Sequence, residues 1–433
     1  MGCCGCFGFL SKPQRSLSSV RGVHGRLSQE FLLPDNVEDV DSALYNGEVG
    51  SFMRGSNGVL IQHRSSKEIL IHRAQSGMIC REVPVKETMH VIRTEDENGN
   101  KMINEYIREC KIGAGSYGKV HCGPHCQPLP LPRCEWAKIA TLECSIGLNM
   151  IFDEGFAFHK SHLLKLRVAP SETAMTDVLR EVSIMKMLAH PNIVNLIEVI
   201  DDPNTDRFYM VLEYVEGKRV CEGSGPPGGI GESTARRYLR GIVSGLIYLH
   251  AHEAGIIGHQ SVVGGLVVVM NIVHGDIKPD NLLVTSNGTV KICDFSVSQV
   301  FENDNDVLRR SPGTPVFTAP ECCLGLTYHG KAADTWALGV TLYCMVLGQY
   351  PFLGDTLQET YDKIVKNPLF LPDAMNPELK NLLEALLCKD PKQRIVLEAV
   401  RMHPWVVGEE GPIPEYLCLC KRNSFQGVDI TEA

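Results

Sequence analysis

The chain has 433 residues, 44% of them hydrophobic and 21% charged, with a formal charge of -9 from 42 basic and 51 acidic side chains. That balance belongs to a globular protein of two or three domains, and the acidic excess excludes a nucleic-acid binder, which needs a basic stripe to displace counterions from phosphates. Seventeen cysteines without a secretory leader read as reduced thiols of the cytoplasm or nucleus rather than as a disulfide framework. The longest apolar run, SVVGGLVVVMNIV at 261–273, is shorter than the roughly 20 residues that span a bilayer.

The chain begins MGCCGCFGFL, which places Gly2 for myristoylation and Cys3 and Cys4, with Cys6, for palmitoylation, although Cys6 stands where Ser or Thr is preferred. Lys12, Arg15, Arg21 and Arg26 precede the first acidic residue, Glu30, so an acyl chain here would be helped by attraction to anionic lipid. The plainer alternative is a tail with incidental cysteines. Residues 1–45 lack periodicity and read as that flexible tail. An N-terminal extension covers 46–105, and HVIRTEDENGNKMINEYI at 90–107 has two strand-like runs around Asn98-Gly99, the strongest short hairpin signal.

GAGSYGKV follows at 113–120. Gly113, Gly115 and Gly118 lack the side chains that would keep backbone N–H groups from a phosphate, and Val120 comes next on the strand. Alone, this pattern is weak. Residues 121–156 carry Pro124, Pro128, Pro130 and Pro132 with four cysteines and no alternation, so no central strand is expected there. Metal binding by HCGPHC with Cys134 and Cys144 is a rival reading, but it supplies one closely spaced ligand pair where zinc sites use two.

Further on, Val178, Val182, Met185 and Leu188 recur at helical spacing in SETAMTDVLREVSIMKMLAH, with Ser171 as a candidate N-cap and Pro191 as a stop. FYMVLEYVEG at 208–217 reads as a buried strand, and STARRYLRGIVSGLIYLHAH at 233–252 as a helix with Tyr238, Leu239, Ile242, Val243, Leu246 and Leu249 inward. From 320 the pattern is mostly helical. A strand-rich first part and a helix-rich second part imply two lobes with a cleft between them.

The chemistry concentrates in HGDIKPDNLLV at 274–284 and KICDFS at 291–296. Phosphoryl transfer needs a carboxylate to orient the attacking hydroxyl, ligands for the metal that bridges the phosphates, and a cation for the migrating charge. Asp276, Asn281, Asp294 and Lys278 supply that set, and the strands LLV and VKI around Ser286-Asn287-Gly288 would hold Asn281 and Asp294 near one another. A lone Asp-x-x-x-x-Asn would be a solvated loop; the full set in this order resembles a protein kinase.

The resemblance extends over 106–406 and implies an α+β, bilobal kinase fold that uses ATP and Mg2+. It implies a small β-rich N-lobe to about 216, disturbed by an insert, a large helical C-lobe over 217–406, and a tail over 407–433. Gly113, Gly115, Gly118 and Val120 would contact ATP, with Glu213 and Val215 of the hinge EYV; Glu181 would face the cleft from its helix. Lys278 resembles the lysine of Ser/Thr-specific kinases, which could contact both the transferred phosphate and Thr318. Ala319-Pro320-Glu321 closes the activation segment, in which Thr314 is the candidate activating phosphosite. Asp334 of DTWALG, Arg394 of KDPKQRI and HPW at 403–405 match the large-lobe scaffold.

FHKSHLLKLRVAPSETAMTDVLREV, HPNIVNLIEVIDDP, EGSGPPGGIGESTARRYL and SPGTPVFTAPE resemble the calcium/calmodulin-dependent kinase kinases, and within them the plant geminivirus-Rep-interacting kinases. That implies a downstream SNF-related energy-sensing kinase as the protein substrate, phosphorylated on its activation-loop threonine. No calmodulin target is expected, because the segment after 406 lacks a basic amphipathic helix.

Three departures stand out. Gly275 replaces the arginine that grips an activation-loop phosphate. Ser296 replaces a glycine and should restrict backbone flips next to Asp294. The lysine that would hold the phosphates and pair with Glu181 is missing from its place before AFHKSHLLKL, where Phe156 stands. Lys138 in WAKIA is offset by one from Ala-x-Lys, which would turn it to the opposite face of a strand. Residues 253–270 are likewise extra, and both stretches read as retained noncoding sequence. The alternative to an active kinase is an impaired pseudokinase or scaffold that lacks the phosphate-binding lysine.

Overall fold

The structure, a computed structural model, describes residues 52–54, 60–62, 81, 83–108, 110–115, 118–124, 136–143, 171–205, 207–250, 252–253, 269–302, 305–309, 313–325 and 327–416. The expectations for Gly2, Cys3 and Cys4, for Phe156, and for a metal site with Cys126, Cys134 and Cys144 lie outside these residues.

Phe52–Arg54 (β1) and Leu60–Gln62 (β2) pair antiparallel. Lys86–Thr88 (β3) precedes a small antiparallel sheet of Arg93–Glu95 (β4), Lys101–Ile103 (β5) and Tyr106–Ile107 (β6). The hairpin read around Asn98-Gly99 is there. Gly99 takes φ 79°, which glycine adopts at no steric cost, and the Asp96 carboxylate closes the turn by accepting from Asn98 N at 2.9 Å and Asn100 N at 2.7 Å.

A six-stranded sheet forms the first lobe. Cys110–Gly115 (β7), Gly118–Pro124 (β8), Trp136–Glu143 (β9), Leu196–Asp201 (β10) and Arg207–Glu213 (β11) lie in the order β3-β10-β11-β9-β8-β7. Only the β3–β10 pairing is parallel. The central β9 overturns the expectation that 121–156 could hold no such strand. Trp136, Ile139 and Thr141 are residues that suit a pleated surface. Pro124 ends β8, and Pro128, Pro130 and Pro132 fall between the strands, outside the described residues. The prolines border the strand instead of interrupting it.

Both faces of this sheet are covered. The helix Ser171–Met187 (α1) brings Val178, Val182 and Met185 into one cluster with Leu196, Val199, Phe208 and Met210. On the other side Ile103 and Tyr106 of the extension bury Ile197, Ile200, Tyr209 and Val211. Coverage on both faces explains why FYMVL of β11 reads as a continuous apolar run.

The second lobe is built on Glu232–His250 (α2), whose inward residues Leu239, Ile242, Val243, Leu246 and Leu249 are buried as the spacing implied. His252–Glu253 (β12), Val269–Val273 (β13) and Gln299–Glu302 (β16) form a three-stranded sheet, and Leu282–Val284 (β14) pairs with Val290–Ile292 (β15). The ends of the extra stretch at 253–270 are thus paired strand, while 254–268 lie outside the described residues. Val307–Leu308 (β17), Pro320–Cys323 (α3) and Tyr328–His329 (β18) lead to the apolar helix Gly330–Leu347 (α4), which ends at Gly348 with φ 68°. Leu357–Lys366 (α5), Pro377–Leu386 (α6), Leu397–Arg401 (α7) and Pro404–Val407 (α8) complete the lobe.

One buried ion pair ties α3 to the segment between α6 and α7. Arg394 donates from both guanidinium nitrogens to Glu321, at 2.6 and 2.8 Å, and also to Ala332 O and Cys388 O. Arg394 and Glu321 are both buried, so removing either side alone leaves a charge without its partner. Arg394→Met is expected to lower unfolding free energy by about 3–5 kcal/mol, and the double change Arg394→Met with Glu321→Leu to recover most of it. Urea unfolding of the three chains checks this, and equal losses in single and double variants would contradict it.

Candidate active site

Strand β13 ends at Val273 and hands the chain to His274-Gly275-Asp276. The loop is fixed from below by Asp334, 1% exposed near the start of α4, which accepts from His274 N and Gly275 N at 2.9 Å each and from His250 Nε2 at 2.8 Å. Gly275 takes φ 80°, a left-handed conformation that an arginine would adopt only with strain. A Cβ on Gly313 would come within 2.5 Å of Gly275 O, so the missing side chain at Gly313 lets the activation segment close on the loop.

Asp276 sits at the centre of a hydrogen-bonded cluster. Its Oδ1 accepts from Thr314 N at 2.9 Å and Thr314 Oγ1 at 2.8 Å, and its Oδ2 accepts from Lys278 Nζ at 2.6 Å and Asn281 Nδ2 at 3.0 Å. Burial pushes the carboxyl up, but Lys278 and the bonds from Thr314 outweigh it, so its pKa lies below the ordinary value. It is ionised across the neutral range and loses its charge only as pH falls through that depressed pKa.

Lys278 also donates to Thr314 Oγ1 at 2.6 Å. The expected contact of Lys278 with Thr318 is thus corrected: Thr318 is 7% exposed and its hydroxyl bonds to Thr314 O at 3.4 Å. Thr314, the candidate phosphosite, has its hydroxyl occupied by Asp276 and Lys278. A phosphate there would set two negative charges against Asp276, so this geometry contradicts an activating role and fits positioning instead. Thr314 lies 38 residues from Asp276, and no short motif announces the pairing.

Asp294 follows β15 with φ 69°, and its carboxylate Oδ1 accepts from Ser296 Oγ at 2.6 Å. Ser296, noted above for its stiffness, therefore also orients this carboxylate. Arg180 of α1 reaches across to Ser296 O at 3.1 Å, beside the buried Glu181. Asn281 turns its Nδ2 inward to Asp276 O and Oδ2, which leaves its amide oxygen facing the other way. Asn281 and Asp294 thus offer two hard oxygen donors, the set that suits Mg2+ when substrate phosphates complete the shell. Among the described residues no group of three or more His, Cys, Asp or Glu forms a cage that would hold a metal by itself.

At the hinge, Glu213 sends its carboxylate inward, to Lys291 Nζ at 2.8 Å and to Asn195 N and Nδ2 at 3.1 Å. Any part Glu213 takes in holding a nucleotide falls to its backbone. Val215 is buried beside it.

The glycine loop is the β7–β8 hairpin, with Gly113 opposite Val120 and Gly115 opposite Gly118. On β9, Ala140 stands opposite Val120, Leu142 opposite Gly118, and Lys138 opposite Cys122. Lys138 therefore shares the strand face of the Val120 and Gly118 rungs, correcting the expectation of the opposite face. It lies four residues, roughly 13 Å of strand, from the Gly118 rung. Leu142 occupies the rung at the loop.

The protein kinase domain family matches residues 162–406, beginning after β9. The serine/threonine-protein kinase GRIK2 of Arabidopsis thaliana is 63% identical over 372 residues, covering 86% of this chain and 82% of the relative. The serine/threonine-protein kinase GRIK1 of the same plant is 54% identical over 436 residues, covering 99% and 96%. A calcium/calmodulin-dependent protein kinase kinase of Caenorhabditis elegans is 39% identical over 258 residues, 58% of this chain and 44% of that one. With the catalytic cluster in place and the family matched over the large lobe and the later part of the small one, the chain belongs to the protein kinase family and is a serine/threonine-protein kinase.

Proposed function

We propose that this kinase transfers the γ-phosphoryl group of ATP, with Mg2+, to a threonine in the activation loop of a downstream SNF-related kinase. The observation that carries the reading is the cluster of Asp276, Lys278, Asn281 and Thr314, which holds one ionised carboxylate beside one ammonium where a substrate hydroxyl would meet a phosphate. A relative named as a kinase kinase supports a kinase as substrate.

Asp276 orients the attacking hydroxyl and accepts its proton late in transfer. Lys278 stands 2.6 Å from Asp276 and would follow charge onto the migrating phosphoryl group. Thr314 holds both in register. Asn281 and Asp294 would hold the metal, which supplies charge neutralisation between the phosphates when bound. Glycines 113, 115 and 118 let the backbone cover the phosphates. In this reading the acylated N-terminus at Gly2, Cys3 and Cys4 brings the enzyme from cytoplasm or nucleus to anionic membrane.

Incubating the full chain with radiolabelled ATP and a catalytically dead downstream kinase tests the substrate. Label is expected on the wild-type activation loop and not on its threonine-to-alanine variant; equal labelling of both overturns the assignment. Asp276→Asn is expected to cut phosphotransfer by about 100-fold or more while leaving the melting temperature nearly unchanged, because volume is kept and only the orienting charge goes.

Thr314→Val removes the hydroxyl that bridges Asp276 and Lys278 and should lower kcat about 10-fold or more. Phosphopeptide mapping of active enzyme should find Thr314 unmodified, and stoichiometric phosphate there would refute the positioning role. Lys138→Met, by its rung, should change kcat/KM for ATP by less than about threefold, whereas Leu142→Lys should raise it by up to about 100-fold. Loss of activity in Lys138→Met would show that Lys138 reaches the phosphates after all.

A further inference from the structure

The extension before the glycine loop is built into the catalytic lobe. Arg81 is 6% exposed and donates to three carbonyls: Leu196 O at 2.8 Å, Met185 O at 3.2 Å and Val83 O at 3.2 Å. Met185 is in the last turn of α1, where carbonyls lack partners four residues on and the helix dipole favours a cation. Leu196 opens β10. One guanidinium thus joins the end of the helix to the start of the neighbouring strand.

The rest of the extension keeps Arg81 in place. Parallel β3 runs beside β10, and the fully buried Glu198 accepts from Tyr106 Oη at 2.6 Å and from Thr88 Oγ1, with Lys86 Nζ at 3.4 Å. A buried carboxylate is tolerable only with such partners, so the strand pairing and the buried charge require each other. Glu87 then meets Lys186, the residue after Met185, at 2.9 Å. The far side of α1 reaches the site, where Arg180 bonds Ser296 O and Ser296 Oγ bonds the Asp294 carboxylate.

We propose that residues 81–108 are a built-in clamp on α1 and that Arg81 is a positioning residue, setting through Arg180 and Ser296 the orientation of Asp294. The clamp explains why an extension with no catalytic group of its own places a guanidinium, and partners for a buried carboxylate, in the small lobe. It rests on the reading of Asp294 as the metal-holding carboxylate.

The test uses the full chain with Arg81→Ala, Arg81→Lys and Arg180→Gln, and Asp294→Asn as control. Hydrogen exchange of amides 178–187, without nucleotide or metal, should speed up in Arg81→Ala and partly recover in Arg81→Lys. The Mg2+ concentration for half-maximal transfer should rise roughly 2- to 30-fold in Arg81→Ala, the range over which coupled substitutions act. Arg180→Gln, at a half-buried position, should raise the Mg2+ requirement without slowing or speeding exchange at residues 93–107.

A folded Arg81→Ala chain with unchanged exchange in α1, or with faster exchange but an unchanged Mg2+ requirement, overturns the clamp. Should Arg81→Ala fail to fold, Arg81→Lys and Arg180→Gln decide, and unchanged Mg2+ dependence in both overturns it. Full transfer by Asp294→Asn would instead sink the metal reading, while altered exchange in Arg81→Ala would still stand.

Discussion

The Asp334 carboxylate is the constraint on which the active site depends. A charge this deeply buried must be surrounded by donors, and the donors here are His250 at the end of α2 and the two consecutive amides of His274 and Gly275. Satisfying one buried group therefore fixes the helix, the catalytic loop and the base of α4 together. Asp276 follows immediately and inherits that rigidity. His274 adds a second restraint, since its ring lies edge-on to Phe295 and its carbonyl accepts from Ser298 Oγ at 2.9 Å. The carboxylates at 276 and 294 are thus held by two turns that share a partner.

Much of this was legible because it is local. HGDIKPDN and KICDFS place their polar groups within a few residues of each other, and the turn at Ser286-Asn287-Gly288 folds LLV onto VKI as its composition dictates. The helices α1 and α2 announced themselves by periodicity. The Asn98-Gly99 hairpin did so by turn chemistry. By contrast Thr314 reaches Asp276 across an activation segment whose path is set by Gly313 packing on Gly275 O. Nothing in the spacing shows this, so its hydroxyl read as a modification site when it is a structural part of the cluster.

Strand β9 was missed for a different reason. Its neighbours in sequence are rich in proline and cysteine, and a window that mixes them with WAKIATLE averages away the strand signal. Within the eight residues alone, Trp136, Ile139 and Thr141 favour a pleated surface. The sheet also needs a strand there, because β8 and β11 would otherwise both present open edges in the middle of the lobe. Tertiary demand and local propensity agree on the strand, while the flanking prolines set only its limits.

The activation segment shows how the fold manages without an arginine at 275. Asp306 is 4% exposed and its carboxylate accepts from His329 Nδ1 at 2.8 Å and from Lys331 N at 2.7 Å, while its carbonyl accepts from Gly330 N at 2.9 Å. Those amides open α4, where backbone donors are unpaired and the dipole favours an anion. The segment is therefore pinned to the same helix that carries Asp334, by a carboxylate of its own in place of a phosphate. The short pairing of β17 with β18 is the direct extension of that anchor. Asp306 on the start of α4 and Thr314 on Asp276 thus anchor two described points of the segment to the supports of the catalytic loop.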